Sequence, residues 1–414
     1  MPRTALSSSF VLNPWTKSAL LSLLLAGLAF FFSTRFSASS QGTDFPDFYC
    51  ASRMLLEGHG RQLYDAELQR QYQARYAGRI GTLYIHPPFE TIVYLTVAWL
   101  PLKQAYLLWC LLNFGFLALA ARTARREGFL PSDWRLLLLA SLTFVPVLLC
   151  FMQGQDSLLL LLLETLAFGA LRRKRALAAG CWLGFGLFKF QLVLPMALVF
   201  AMRRSRSRFL QGFVLVALAL AGLCAVVSGW SVFAAYPSFL LTLQGQRFAG
   251  VVPQAMANFR GLTVLILGNR SPFTVSVIAL LSVAALLATV FAWPETGPVS
   301  DQGQSHAHAG QGQCDPGFAT ASLFALLVSY HLNPHDLSLL LLPMALLLGD
   351  GTGVPKTRMT AERWLILGCC VTLFLPPLHL WALQAHAYAL LSVPLTALFA
   401  VCVYRARNAG ERFN

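Results

Sequence analysis

Five places in this chain combine residue types that can do acid–base or ionic chemistry with surroundings that leave them few other uses. Asp44 and Asp47 stand three apart just past a first apolar run. Gln153-Gly-Gln155-Asp156 is a polar turn between two apolar runs. Asn258 and Arg260 lie together near the end of a longer polar segment, and His331-Leu-Asn-Pro-His335-Asp336 forms a second polar turn. Lys189 sits inside a 27-residue stretch, residues 176–202, whose neighbours are almost all apolar. A carboxylate at a membrane–water boundary is partly desolvated, which raises its pKa and makes it a usable base. Asp44 is the first choice for that role and Asp47 the alternate; a solvated loop acid or a helix N-cap is the competing explanation of either. An ammonium in hydrocarbon costs about 2.5–3.5 kcal/mol or more, so Lys189 should face a polar cavity or an anion, unless it snorkels to the interface. Arg260 precedes Gly261 and an apolar run, where a cation beside free helix-start amides can hold an anion. The histidines 331 and 335 fit a polar turn, a sugar- or phosphate-facing histidine or, more remotely, a metal ligand. His86, before Pro87-Pro88, is a weaker candidate.

The elements that must position these residues follow from composition. Of 414 residues, 57% are hydrophobic and 12% charged, against about 25% charged in a soluble domain. A soluble globular protein, a disordered chain and a disulfide scaffold are thereby excluded. Long Leu/Ala/Val/Phe runs without two-residue alternation are helical spans, since lipid tolerates only helices or closed barrels. Nine cysteines, mostly within apolar runs, read as small core residues. The net charge of +14 lies in short clusters between runs, including Arg122 to Arg126, Arg172 to Arg175 and Arg203 to Arg208. That is the signature of cytoplasmic loops, not of nucleic-acid binding.

Parity then sets the topology. A first, uncleaved span is expected over about 18–36, followed by an external loop over 37–86 that carries five of the 17 acidic residues. The interval 176–202 separates two basic clusters on the same side, so it should be a short membrane hairpin with Lys189 near its tip. Residues 87–103 are expected to lie partly across or along the interface, and 294–316 to form a polar cytoplasmic loop. The expectation is a single all-α polytopic membrane domain, 1–414, with 11 to 13 spans. All five constellations come to the external side. Together they offer a base, cations for a leaving phosphate and a greasy wall for a lipid. No phosphate-binding glycine loop, nucleophile elbow or zinc-protease helix occurs.

Five motifs in order resemble glycosyltransferase family 87. They are Asp44-Phe-Pro-Asp-Phe-Tyr49 with Ala51-Ser-Arg-Met54, Gly58 and Leu63-Tyr-Asp65; Tyr84-Ile-His-Pro-Pro-Phe89, with His86 where the family usually has Tyr; Gln153-Gly-Gln155 with Gly184 to Lys189 and Pro195; Asn258-Phe-Arg-Gly261; and His331 to Pro343. The resemblance implies a GT-C-like bundle and inverting transfer of mannose or another sugar from a polyprenyl-phosphate donor to a lipid or glycan hydroxyl. It implies Asp44, or Asp47, as base and His331 or His335 as a second site residue. Lys189, Arg260, Gln155 and Asn258 would then serve the donor phosphate and lipid, and Tyr49 and His86 would line the substrate space. No cofactor is expected, with a divalent cation left open. The expected setting is a bacterial inner membrane with the site on its periplasmic face. A flippase of lipid-linked sugars, or a catalytically idle member that binds them, are the competing readings.

Overall fold

The structure, a computed structural model, describes residues 44–78, 80–128, 133–202, 206–243, 252–268, 271–292, 316–349 and 360–411. The expected first span over 18–36 and nearly all of the loop 294–316 lie outside them. Among the described residues every regular element is helical. They are α1 (Phe45–Leu56), α2 (Ala66–Ala77), α3 (Glu90–Ala98), α4 (Leu102–Arg126), α5 (Trp134–Leu142), α6 (Val145–Gln153), α7 (Ser157–Arg172), α8 (Ala176–Phe185) and α9 (Phe190–Ala201). There follow α10 (Arg206–Ser228), α11 (Val232–Leu243), α12 (Phe259–Leu267), α13 (Pro272–Ala292), α14 (Pro316–Val328), α15 (Leu341–Gly349), α16 (Ala361–Phe374), α17 (Pro376–Gln384) and α18 (Ser392–Glu411).

The chain is an all-helical polytopic membrane protein. Among the described residues, five helical stretches are long and apolar enough by length and composition to cross a membrane, one of them the stretch Ala176–Ala201 that folds back on itself, and seven if the bent pairs α5/α6 and α16/α17 each count as one span. The larger expected number also counts α7, α14 and α15, which are only 9 to 16 residues long. α10 and α13 are the most lipid-exposed: Val226 is 84% and Phe291 81% accessible, which water would penalise and hydrocarbon does not.

The stretch 176–202 is not straight. Residues 180 and 200 of a straight helix would lie about 30 Å apart at ~1.5 Å per residue. Instead Gly180 packs on Phe209, where a Cβ would meet the Phe209 carbonyl oxygen at 1.9 Å. The Phe200 ring lies 4.8 Å from the Phe209 ring. α8 and α9 therefore fold back on each other at the 3₁₀ turn Gly186–Lys189. Gly212, whose Cβ would meet Leu177 O at 2.1 Å, completes a close seam between α8 and α10.

These contacts give the bundle two unlike ends. At one, Glu127 pairs with Arg173 and accepts from Arg172 through its carbonyl, while Phe168 and Phe200 pack on Phe318. Arg122–Arg126, Arg172–Arg175 and Arg208 belong to this end. At the other, Tyr106 donates to Phe151 O at 2.9 Å and Asn113 to Gln155 O at 2.8 Å, which ties the start of α4 to the turn before α7. α3 stays at this second end: Ser52 donates to Thr91 O at 2.9 Å and Tyr94 to Gly154 O at 3.0 Å. α1 and α2 cap it, clamped by Glu57, which accepts from Arg53, Tyr72 and Tyr76.

Candidate active site

At the second end an ion cluster is shut inside the bundle. Lys189 Nζ lies 3.1 Å from Asp156 Oδ1 and 2.9 Å from Asp336 Oδ1. None of the three side chains is more than 2% exposed. Each comes from a break between helices. Lys189 ends the 3₁₀ turn between α8 and α9. Asp156 follows Gly154, which takes the left-handed φ of 65° that favours glycine and lies so close to α1 that a Cβ would meet Phe45 Cβ at 2.6 Å. Asp336 closes a capping box at the start of the 3₁₀ segment Pro334–Leu340, accepting from Asn333 N at 2.9 Å, and also accepts from Ser157 Oγ at 2.9 Å. The anion that Lys189 demands is thus supplied by the chain itself, and a substrate phosphate is not needed to explain it.

Asp44 stands at the edge of this cluster, half-buried, at the N-terminus of α1. Its Oδ2 accepts from Gln155 Nε2 at 2.6 Å. Gln155 is fixed in turn through its carbonyl, which accepts from Asn113 and Trp109. Asp47, one turn on, is buried and committed elsewhere: Oδ1 accepts from Gln73 at 3.0 Å and Oδ2 from Thr82. It ties α1 to α2 and to the segment entering α3. Tyr49 points away from the cluster and donates to Leu100 O at 2.8 Å. The structure therefore brings Asp44 and Gln155 to the site but neither Asp47 nor Tyr49.

His86 joins the site from the other side. Its ring packs edge-on to Phe48, one turn from Asp44, with centroids 4.9 Å apart. Its Nδ1 lies 3.1 Å from Oε2 of Glu90, a fully buried carboxyl, while His86 itself is 22% exposed. Burial, and then the Lys189 charge, depress the His86 pKa to about 4, while Asp156, Asp44 and Asp336 pull the other way.

A second group adjoins the first through the turn 331–336. Asn258 caps α12 by accepting from Gly261 N at 2.9 Å, and its amide donates to Ser329 O at 2.7 Å. It is an architectural residue that sets Arg260. The guanidinium of Arg260 donates to Tyr330 O at 2.6 Å and lies 4.0 Å over the Tyr330 ring. His331 Nε2 faces the Asn333 amide nitrogen at 3.1 Å. With that amide as donor, Nε2 accepts and Nδ1 carries the hydrogen. Burial depresses the His331 pKa to about 4, so the ring is neutral at pH 7. His335 is a different kind of residue: it is 1% exposed, with Nδ1 at 2.6 Å from Gln153 Oε1. Of the two candidate histidines, only His331 is accessible.

Glu90 has no place in the sequence reading, and Asp156 and Asp336 enter it only as members of their polar turns, not as partners of Lys189. A buried lysine needs a counter-charge, and two aspartates flanking the conspicuous Gln155 and His335 were the signal available for it. Among the described residues, no group of three or more His, Cys, Asp or Glu is arranged to hold a metal ion. Within the bundle, an apolar cavity of about 410 Å³ opens between α4, α5, α7, α15 and α16, lined by Leu117, Leu161, Leu341, Leu342 and Phe374 among others and by none of the three residues of the ion cluster.

The family model described as glycosyltransferase family 87 matches residues 84–300. That covers His86 through Arg260 and leaves Asp44 and the turn 331–336 outside the matched stretch. No curated protein sequence and no solved structure matches the chain.

Proposed function

The chain belongs to glycosyltransferase family 87 and is a membrane glycosyltransferase; from that premise we propose that it moves a sugar from a polyprenyl-phosphate donor to a lipid or glycan hydroxyl, on the external face, with inversion and with Asp44 as base. One observation carries the choice of base. Asp44 is the half-buried carboxylate, oriented by the neutral amide of Gln155, beside a cluster in which Lys189 is already held by Asp156 and Asp336. A base must be reachable, and Asp47, Asp156 and Asp336 are all buried where Asp44 is half-buried.

In this reading the acceptor hydroxyl gives its proton to Asp44 as its oxygen attacks the anomeric carbon. The attack comes from the face opposite the phosphate, and the bond from that carbon to the phosphate oxygen breaks. The polyprenyl phosphate leaves with the electron pair. Arg260 and the Nδ1–H of His331 are the groups suited to the departing charge, and both already project from a fixed backbone. The apolar cavity suits the isoprenoid tail, since Leu341 lies six residues after His335 at the end of the Pro334–Leu340 segment. The basic end of the bundle marks the cytoplasmic side by the positive-inside rule, which puts the site opposite. A GT-C-like arrangement and a bacterial inner membrane belong to the same reading.

The test uses the full chain in lipid nanodiscs with polyprenyl-phosphate-mannose and a lipid-extract acceptor, following release of polyprenyl phosphate. Asp44→Asn should abolish release while leaving donor binding within about threefold, because it removes a proton acceptor and keeps the shape. Equal release by the variant would remove Asp44 as base. Donor binding without release in the wild type would favour the transporter or the idle binder.

A further inference from the structure

Residues 329–331, between α14 and the 3₁₀ segment, belong to no helix, yet each of their carbonyls accepts from a side chain. Ser329 O accepts from the Asn258 amide at 2.7 Å, Tyr330 O from the Arg260 guanidinium at 2.6 Å, and His331 O from Ser329 Oγ at 2.8 Å. Two of these donors stand at the start of α12: Asn258 is its N-cap and Arg260 lies in its first turn. The backbone of Tyr330 is therefore fixed, while its side chain is turned out and 66% exposed. The Tyr330 hydroxyl makes no hydrogen bond to a described residue. A tyrosine that merely anchors a protein at the membrane–water boundary needs nothing on its ring face. Here the Arg260 guanidinium lies 4.0 Å from the ring centroid.

Arg260 is held unlike the other cations near the site. Lys189 is held by Asp156 and Asp336, and Arg53 by Glu57. In each of those cases the anion that fixes the cation also offsets its charge. Arg260 forms no ion pair with a described residue, and both of its attachments come from Tyr330. The Tyr330 carbonyl takes one guanidinium N–H and leaves the remaining N–H groups of the fork available. A single hydrogen bond lets a guanidinium swing about the N–H···O axis. The ring beneath it blocks that swing, because its negative face attracts the flat cation from one side. Neither the carbonyl nor the ring carries a net charge, so the guanidinium is fixed in place with its own charge intact. That is the condition a group must meet to act on charge that appears only during a reaction.

We propose that Tyr330 is a positioning residue for Arg260: its carbonyl and ring together present an uncompensated guanidinium to the phosphate of the lipid-linked donor. The proposal rests on the transferase reading above. As the bond from the anomeric carbon to the phosphate oxygen breaks, the electron pair stays on that oxygen, and the phosphodiester becomes a monoester with a second negative charge. An arginine fork matches two phosphate oxygens, so its hold tightens as that charge develops. An interaction that is stronger in the transition state than in the bound donor raises kcat and leaves KM nearly alone. Tyr330 acts through Arg260 and takes no part in the bond changes.

The test is a double-mutant cycle on the full chain in nanodiscs, with Tyr330→Leu, Arg260→Ala and the two combined, and Tyr330→Phe as the conservative variant. Two quantities are read: release of polyprenyl phosphate from polyprenyl-phosphate-mannose with a lipid-extract acceptor, and equilibrium binding of polyprenyl phosphate alone. Because the ring is exposed, Tyr330→Leu should move the unfolding midpoint by no more than about 2 °C. It should lower kcat about three- to tenfold with donor KM within about twofold, and weaken polyprenyl phosphate binding by a similar factor. Tyr330→Phe should recover most of that loss, since the hydroxyl it deletes has no partner. With Arg260→Ala already present, Tyr330→Leu should change either quantity by less than about 1.5-fold. Where Arg260→Ala leaves too little turnover to measure, the binding cycle decides. Equal losses with and without Arg260 would show that the ring acts on its own, as an anchor or a sugar platform, and would overturn the proposal. Wild-type behaviour of Tyr330→Leu, or no recovery by Tyr330→Phe, would overturn it as well, and each of these results leaves the transferase standing. Absence of release by the wild type removes the transferase reading and this proposal with it.

Discussion

Replacing Lys189 by Met separates two accounts of why a lysine sits within the bundle. Met preserves the length and bulk of the side chain and deletes the charge, leaving Asp156 and Asp336 facing one another without the ammonium that lay 3.1 and 2.9 Å away. Removing one partner of a buried ion pair costs about 3–5 kcal/mol, because the remaining charge is stranded in low dielectric. Here two carboxylates are stranded, and all three side chains are at most 2% exposed, so the upper part of that range applies. At roughly 2 °C per kcal/mol for a large domain, the unfolding midpoint should fall by roughly 8–10 °C. The assay is thermal unfolding of the purified protein in one detergent, read by intrinsic tryptophan fluorescence, with donor binding measured on the fraction that stays folded. Adding Asp336→Asn to Lys189→Met should recover part of the loss, because it discharges one stranded group. A Lys189→Met protein with an unchanged midpoint and lost donor binding would refute the reasoning and return Lys189 to the donor phosphate.

Three further outcomes follow from the same geometry. Asp47→Ala should cost about 1–3 kcal/mol of stability through the loss of the two hydrogen bonds its carboxylate accepts from Gln73 and Thr82, yet the folded protein should keep its transfer activity, measured per folded molecule. Gly180→Leu should destabilise by more than about 2 kcal/mol in a denaturant series, since even a Cβ would meet Phe209 O at 1.9 Å and force α8 from α10. Stability should also decline in acid through His86. Its folded pKa lies near 4, below the ordinary value of 6.5, so the unfolded chain binds the proton first as pH falls. The contribution is whole above pH ~6.5 and lost by pH ~4. Unfolding midpoints measured across that window should fall more steeply for wild type than for His86→Asn.

Much of this arrangement is legible in the residues. Charge scarcity and unalternating apolar runs specify a helical membrane protein, because the other arrangement that satisfies backbone amides in lipid, a closed barrel, needs two-residue alternation. The polar turns stand out because each interrupts a run that could otherwise have continued. Partner choice is what sequence cannot give. Lys189 reads as a cation awaiting an anion, and nothing along the chain says that Asp156, 33 residues before it, and Asp336, 147 after it, both reach it. Asp47 reads as the alternate to Asp44, and Tyr49 as a lining residue, because they share its motif. The helical turn that separates them rotates Asp47 onto Gln73 and Tyr49 onto Leu100 instead. Glu90 escapes notice for the same reason: its importance lies in what surrounds it.

The ion cluster is best understood by what it ties together. A buried pair is weak evidence for stability on its own, since apolar residues of equal size often serve as well. Its geometric content is different. Lys189 joins the tip of the α8/α9 fold-back to the turn that carries Gln155 and to the turn that carries His331, three segments far apart in sequence. Those turns supply the amide that orients Asp44 and the imidazole that neighbours Arg260. Apolar packing could hold the same segments close but would not fix their register, because dispersion contacts tolerate a slide that two ion-pair distances do not. Leu in place of all three charged residues should therefore leave a folded bundle of at least equal stability with slow transfer. Lys189→Met alone should lose stability first. If the triple Leu variant transfers sugar at the wild-type rate, the cluster does not set the register of the site.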